Sequence, residues 1–242
     1  MNFLSSVYLI ILLCLVALVL AFFLFKELIS VLTINSLTKR KERDAQYICD
    51  LLSLRFPGAA VYRKVYLLKE EAAEQGLKCA CDIVYISRGG VLLLTVFPDV
   101  GVYDNPKIGP WQHRYINTKK ETITLQKPNP FDRMSFFSSV TEKLLLSENI
   151  LNPAVSRAVV FSADLVDFTT DYPECLTMAT LFEYVEAFNR RKHFNQSEFH
   201  KAKEVITACS EYLESRLPNK VKDPANDSFQ KPKAIRNVPK GK

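Results

Sequence analysis

The sequence predicts an α/β fold, in which a mixed β-sheet flanked by helices follows an N-terminal transmembrane helix. Three observations lead to this prediction: a long uncharged run at the start, a hairpin pattern in the middle, and amphipathic helical segments among the strands. A chain of 242 residues with 48% hydrophobic content is long enough to bury a sizeable core. The predicted division is a transmembrane anchor (1–25), a juxtamembrane connector (26–41), a folded domain (42–217) and a basic disordered tail (218–242).

The anchor is predicted from charge and length. Residues 1–25 contain no charged side chain. At about 1.5 Å per residue, the run from Val7 to Phe25 spans roughly the 30 Å core of a bilayer. Basic residues then follow at positions 26, 39–41 and 43. By the positive-inside rule we expect a single-pass protein of the cell membrane, with its N-terminus outside and its domain in the cytoplasm.

The elements of the domain are predicted from periodicity and from turn residues. Apolar residues at helical spacing indicate a first helix over 42–55, which Pro57-Gly58 ends. Alternation predicts a strand over 61–68. Two β-branched runs separated by Arg88-Gly89-Gly90 predict a tight hairpin, and Asp82 opens its first strand. Further strands are predicted at 111–117 and 122–125, where they would extend the sheet, and at 155–161; further helices are predicted at 129–149, 178–192 and 197–217.

The hairpin and the segments after it resemble a known family. Asp82 opens an apolar strand, a Gly turn leads into a second strand, and the pattern continues with Trp111, Asn129-Pro130-Phe131 and the apolar run 158–161. This arrangement, over about 42–217, resembles the NERD (nuclease-related) domain, a branch of the PD-(D/E)xK nucleases. The resemblance implies a restriction-endonuclease-like mixed β-sheet flanked by helices.

The catalytic pattern of that family is incomplete in this chain. Its Glu-x-Lys aligns with Thr95-Val96-Phe97, so only the acid at Asp82 is kept. In such nucleases two carboxylates hold Mg²⁺ and the lysine positions or activates the attacking water. The family's Gly-Glu pair in the first helix has its nearest counterpart in Arg43-Asp44. Positions 133 and 137, usually Gln and His in the family, are Arg and Phe here.

Three functions therefore stay open from the sequence. The first is a non-catalytic module, a pseudoenzyme, that binds nucleic acid or a protein partner. The second is a metal-dependent nuclease in which Asp44, Asp82 and a relocated lysine, Lys64 or Lys78, hold and use Mg²⁺. The third is a structural protein that mediates assembly. Apart from that Mg²⁺ no metal or cofactor is predicted. No Gly-rich phosphate loop is present for a nucleotide, and no second Cys pair or His completes a metal site with Cys79 and Cys81.

Basic residues indicate where an anionic partner would bind. The tail holds seven basic and two acidic residues, which account for most of the net charge of +6. It is predicted to attract nucleic acid or anionic lipid, or to remain a solvated tether. A basic surface interleaved with Trp111, His113 and Tyr115 is the second candidate for nucleic-acid binding. Its residues are Lys107, Arg114, Lys119, Lys120 and Lys127.

Overall fold

The computed structural model describes residues 18–23, 36–66, 80–117, 119–170 and 172–216. The chain divides into two compact units, Met1–Glu42 and Arg43–Lys242. In chain order the described elements are α1 (18–23), α2 (36–55), β1 (Ala60–Tyr66), β2 (Ala80–Ser87), β3 (Gly90–Phe97), β4 (Gly101–Asp104), β5 (Trp111–Ile116), β6 (Thr122–Lys127), α3 (Pro130–Ser147), β7 (Val155–Phe161), β8 (Val166–Phe168), β9 (Cys175–Thr177), α4 (Met178–Arg190) and α5 (Gln196–Arg216).

The first sheet is mixed and has the strand order β1-β2-β3-β7-β9. β1, β2 and β3 are antiparallel neighbours, whereas β7 and β9 join parallel to β3. A parallel neighbour needs a long crossover. Here the chain between β3 and β7 contains three strands and helix α3. The predicted hairpin is confirmed, as is the strand at 155–161.

The strands after β3 form a second sheet, with the order β6-β5-β4-β8. The prediction that the Trp111 and Thr122 strands extend the first sheet is therefore wrong. The reason lies in β4, a four-residue strand that pairs with β5 on one side and with β8 on the other. Gly101 starts β4 with φ of +127°, a conformation that favours glycine. A Cβ there would lie 2.4 Å from the carbonyl oxygen of Arg114.

The inner strands of the first sheet are buried on both faces, as the continuous apolar run of β3 predicts. Side chains of β3 alternate between two core clusters, with Val91 and Leu93 in one and Leu92, Leu94 and Val96 in the other. The first cluster also receives side chains from α3, α5 and the second sheet. The second receives side chains from α2 and α4.

Helix α3 begins where the sequence predicts. The Asn129 side chain accepts a hydrogen bond from the backbone N–H of Phe131 at 3.0 Å, and Pro130 occupies the first turn. This is the usual chemistry of a helix N-terminus, because the cap satisfies a free donor and proline lacks one. The predicted helix therefore has the start that its Asn-Pro pair indicates.

The N-terminal part of the fold-class prediction is corrected. Among the residues that the structure describes, no helix is both long and apolar enough to cross a membrane. Within the predicted anchor the structure describes only 18–23, six helical residues, which rise about 9 Å against a bilayer core of about 30 Å. The rest of the predicted anchor, most of the connector and the tail lie outside the described residues.

Candidate functional site

The β2–β3 hairpin forms the centre of the candidate site. Its two strands pair from Ile83 with Leu94 to Ser87 with Gly90, so the turn is as tight as the sequence predicts. Gly90 has φ of +117°, and a Cβ at this residue would lie 2.2 Å from the carbonyl oxygen of Ala154. Only glycine fits this turn, and the turn fixes which residues of β3 lie beside Asp82.

Asp82 takes the place of a backbone group in the strand ladder. The β2–β3 pairing stops at Ile83, the next residue, while β3 continues to Phe97. At this point the Asp82 Oδ2 accepts a hydrogen bond from the backbone N–H of Val96 at 2.9 Å. A hydrogen bond to a charged acceptor contributes about 1.5–3 kcal/mol. Asp82 therefore has a structural role that its sequence position alone does not reveal.

Thr95 and Phe97, which align with the Glu and Lys of the family that the sequence resembles, are packed into the interior. Thr95 is 8% exposed, and the Phe97 ring packs with the first core cluster. The Phe97 ring centroid lies 5.4 Å from that of Phe161 and 6.4 Å from that of Tyr103. These positions offer one buried hydroxyl and one aromatic ring, whereas Mg²⁺ needs several oxygen ligands.

Asp44 reaches the same end of β3 by another route. Its Oδ2 accepts a hydrogen bond from the Ser162 hydroxyl at 2.7 Å, and its Oδ1 lies 3.6 Å from the Arg43 Nε. The Ser162 backbone N–H donates in turn to the Phe97 carbonyl oxygen at 3.0 Å. The structure thus links Asp44 to Phe97 and Asp82 to Val96, so both predicted acids are attached to neighbouring residues of one strand.

Of the two lysines considered for the nuclease alternative, Lys64 and Lys78, only Lys64 lies among the described residues. Lys64 is exposed on β1, and its neighbours pair with Ile83 and Cys81 on either side of Asp82. Its φ of +54° is unusual for a residue with a side chain and marks an irregularity in the strand. The backbone of Lys64 therefore lies beside that of Asp82. Lys78 lies outside the described residues.

Lys127, predicted to contact nucleic acid, points inward instead. Its Nζ forms an ion pair with the Asp99 Oδ2 and lies 3.4 Å from the Tyr103 hydroxyl. The ammonium also lies 5.9 Å from the Phe97 ring centroid and 5.6 Å from that of Tyr103. The side chains of Lys127 and Asp99 are only 15% and 23% exposed. This Asp99–Lys127–Tyr103 cluster therefore belongs to the packing between the sheets.

This cluster was not predicted, although the sequence contains two signals of it. Asp99 follows Phe97 by two residues, and Pro98 between them ends the strand. Alternation along β6 places Lys127 on the same face as Leu125 and Ile123, which faces the core.

Within the cluster, burial raises the pKa of the Tyr103 phenol, and the neighbouring Asp99 carboxylate raises it further. The phenol therefore stays protonated.

His113 is buried beside this cluster. It is 4% exposed, and its ring stacks on Tyr103 with a centroid separation of 4.4 Å. The Nε2 lies 2.7 Å from the carbonyl oxygen of Val100, which can only accept, so the neutral ring carries its proton on Nε2. The Nδ1 is buried and has no hydrogen-bond partner among the described residues. Burial, and then the charge of Lys127, lower the pKa of His113.

The other predicted nucleic-acid contacts lie on the surface. Lys107, Arg114, Lys119 and Lys120 are exposed along the β5–β6 hairpin and its ends. The aromatic residues proposed as their partners alternate with Arg114 along β5, where Trp111 and His113 are buried and Tyr115 is partly buried. Most of the stacking platform that a single-stranded ligand uses is therefore covered, while four cations remain available to phosphates.

A metal ion needs several ligating side chains close together. Among the described residues, no group of three or more His, Cys, Asp or Glu side chains could hold a metal ion. Asp44 and Asp82 are the acids nearest to the pattern of the resembled family, and each already accepts a hydrogen bond from a neighbour at the end of β3 or β7.

No family model, no curated protein and no solved structure matches this chain.

Proposed function

We propose that residues 43–216 form a nuclease-related module that binds nucleic acid without cleaving it. The observation that carries the proposal is the packing of Thr95 and Phe97, since these two positions would have to supply a second metal ligand and a catalytic lysine. Loss of a positioned acid or base alone typically reduces a rate by about 10²–10⁴. The hydrogen bond from Val96 to Asp82 gives the remaining acid a role in stability.

The four exposed cations supply the proposed binding surface. Lys107 lies before β5, Arg114 lies in its middle, and Lys119 and Lys120 lie in the turn that follows. Arg114 of β5 pairs with Val102 of β4, and Val102 pairs in turn with Asp167 of β8. Exposed cations such as Lys119 and Lys120, which lie beside Glu121 in the turn, can contact phosphates. Phosphate contacts of this kind fix affinity more than sequence preference.

Binding is tested by removing four positive charges from the surface, beside a control variant that loses the same charge elsewhere. The full-length chain is compared with a variant in which Lys107, Arg114, Lys119 and Lys120 are all Ala. A matched control replaces four exposed lysines elsewhere, at 143, 192, 201 and 203. If the surface is correct, the slope of log K against log salt becomes shallower by roughly 0.7–0.9 per lost phosphate contact in the first variant. Equal slopes in the two variants would contradict the surface.

The nuclease alternative retains one supporting observation. Asp44 and Asp82 are attached to the end of the same strand, and the Lys64 backbone lies beside Asp82. In that function the two acids would hold Mg²⁺ and Lys64 would assist the water. Metal-dependent cleavage lost on Asp82→Ala, Asp44→Ala and Lys64→Ala, with each variant folded, would favour the nuclease over the binding module.

A further inference from the structure

Four cations lie at the end of the first sheet that contains the β2–β3 turn. Arg88 lies in that turn, and the other three follow one another at the carboxyl end of α4: Arg190, Arg191 and Lys192. The Phe194 backbone N–H donates to the Arg88 carbonyl oxygen at 2.8 Å and so joins the two segments. All four cations are exposed, and across the described residues none of them forms an ion pair. We call these four residues the turn-end cluster.

The dipole of α4 accounts for only part of this charge. A helix carries about half a negative charge at its carboxyl end, which the Arg190 guanidinium in the last turn is enough to offset. Lys192 adds a further cation at a position with φ of +48°, where a chain that leaves a helix favours glycine or asparagine. Keeping a lysine there costs free energy, and residues held in such conformations cluster at functional sites.

Two exposed leucines lie at the same end of the sheet. Leu146 in the last turn of α3 is 47% exposed, and Leu151 in the loop after that helix is 84% exposed. The loop continues to Ala154, whose carbonyl oxygen accepts a hydrogen bond from the Val91 N–H at 2.8 Å, directly after the β2–β3 turn. The end of the sheet that carries the turn-end cluster is therefore both basic and apolar.

Few acids oppose the turn-end cluster. Glu148, which follows α3, is exposed and offsets one of the four charges. On α4, the Glu186 carboxylate already pairs with the Arg55 guanidinium at 2.9 Å. At the start of α5, the Glu198 carboxylate accepts a hydrogen bond from the Asn195 backbone N–H at 2.8 Å. Four exposed cations against one exposed acid leave an excess of positive charge at this end of the sheet.

We propose that this end of the first sheet docks onto the surface of a bilayer that contains anionic lipid. The turn-end cluster contacts the negative headgroups, while Leu146 and Leu151 enter the boundary between headgroups and acyl chains. The leucines favour lipid over nucleic acid as the partner, because the phosphates of a nucleic acid give an aliphatic side chain nothing to bury against. Each basic residue near an anionic bilayer raises the partition coefficient about fivefold, which corresponds to about 1 kcal/mol.

Charge removal in the full-length chain tests the proposal. Three cations of the turn-end cluster are replaced together in the variant Arg88→Gln, Arg190→Gln, Lys192→Gln. Arg191 is kept, because its guanidinium lies 5.7 Å from the Phe188 ring centroid and contributes to packing. Co-sedimentation compares vesicles of phosphatidylserine and phosphatidylcholine in equal parts with vesicles of phosphatidylcholine alone. We expect the variant to partition at least about tenfold more weakly onto the anionic vesicles and unchanged onto the neutral ones.

The matched control loses the same charge elsewhere, in the variant Lys107→Gln, Lys119→Gln, Lys120→Gln. Lys107 lies at the other end of α3, because its carbonyl oxygen accepts a hydrogen bond from the Asn129 side chain at 3.2 Å. The 18 residues of α3 span about 27 Å, and at physiological salt charges are screened over about 8 Å. Partition of the control onto anionic vesicles should therefore stay within about twofold of the wild type.

Tryptophan fluorescence gives a second readout, which reports the leucines rather than the cations. The native Trp111 is 1% exposed, so its emission is a constant background. In Leu151→Trp the new indole should shift its emission to the blue when anionic vesicles are added, because it leaves water for the bilayer boundary. Ile108→Trp is the matched control, since Ile108 is 89% exposed but lies beside Lys107 at the other end of α3. Its emission should not shift.

Four outcomes would overturn the proposal. The first is a wild-type chain that partitions equally onto anionic and neutral vesicles. The second is an equal loss of partition in the two triple variants, which would mean that no particular surface faces the lipid. The third is a turn-end variant that binds nucleic acid more weakly but vesicles as before. The fourth is a blue shift for Ile108→Trp and none for Leu151→Trp. Circular dichroism verifies that each variant is folded.

Discussion

The Asp82 carboxylate accepts a hydrogen bond from the Val96 backbone N–H at 2.9 Å, across the central hairpin of the first sheet. Val96 lies between Thr95 and Phe97, the two positions at which a nuclease of this type would carry its other acid and its lysine. The one acid that matches the resembled motif is therefore bonded to the strand that carries Thr and Phe at the other two motif positions. This hydrogen bond gives the acid a role in stabilising the fold that does not depend on catalysis.

Replacing Asp82 is expected to lower stability. Asp82→Ala leaves the Val96 N–H without its charged acceptor, so the free energy of unfolding should fall by about 1–3 kcal/mol in urea denaturation. Asp82→Asn is the matched control, because its amide oxygen can still accept and its loss should be smaller. A change below about 0.5 kcal/mol for Asp82→Ala, the size typical of ordinary surface substitutions, would argue against the structural role.

Introducing the Glu-x-Lys motif of the resembled nucleases is not expected to produce cleavage. Thr95→Glu with Phe97→Lys puts two charges into the aromatic core around Tyr103 and Phe161. Truncating a packed Phe alone costs about 3–5 kcal/mol, and unpaired buried charges add to that cost. The double variant should therefore unfold at lower urea concentration and remain without nuclease activity. Thr95→Val with Phe97→Leu, which keeps the core apolar, is the control and should stay folded. A Thr95→Glu, Phe97→Lys protein that is folded and active would show that this core does tolerate the catalytic pair.

The Asp99–Lys127 pair is expected to be coupled. Removing one partner leaves the other charge in a site where both are mostly covered, so Asp99→Asn or Lys127→Met alone should cost about 1–3 kcal/mol. Replacing both should cost less than the sum, because no uncompensated charge remains. Urea denaturation of the four proteins gives the coupling energy. Strict additivity would mean that the pair does not contribute as an ion pair.

His113 is expected to make stability depend on pH. Because folding lowers its pKa below the ordinary 6.5, the unfolded chain binds the proton first as the pH falls. The free energy of unfolding should therefore be highest above about pH 6.5 and decrease as the pH falls through the lowered pKa, by at most about 1.4 kcal/mol per pH unit from this one group. His113→Phe should lose that component between pH 7 and 5. Parallel profiles for the two proteins would refute the assignment.

Strands β1, β2, β3 and β7 of the first sheet could be predicted from the sequence because their signals are local, whereas the three-residue strand β9 could not. Arg88-Gly89-Gly90 determines a turn, and the β-branched runs on either side determine its strands. The pairing of β3 with β7 fits the continuous apolar character of both strands. Asn129-Pro130 likewise determines the start of a helix through a cap and a missing donor.

The second sheet could not be predicted in the same way. Its strands β4 and β8 have four and three residues, too short for a periodic pattern, and Gly101 looks like any turn glycine until its neighbours are known. The roles of Lys127 and His113 depend on contacts with Asp99 and Val100 across that sheet. Such contacts depend on tertiary structure, so the sequence indicated a surface cation where the fold has an inward one.

Nucleic-acid binding without cleavage can be measured in a single assay. The full-length chain is incubated with labelled single- and double-stranded DNA and RNA in the presence of Mg²⁺ or Mn²⁺, and cleavage and binding are recorded in the same samples. Asp82→Ala and the four-cation variant are measured beside it. We expect the wild type to bind, the four-cation variant to bind more weakly, and none of the three proteins to cleave. Metal-dependent cleavage by the wild type that Asp82→Ala abolishes would contradict this expectation.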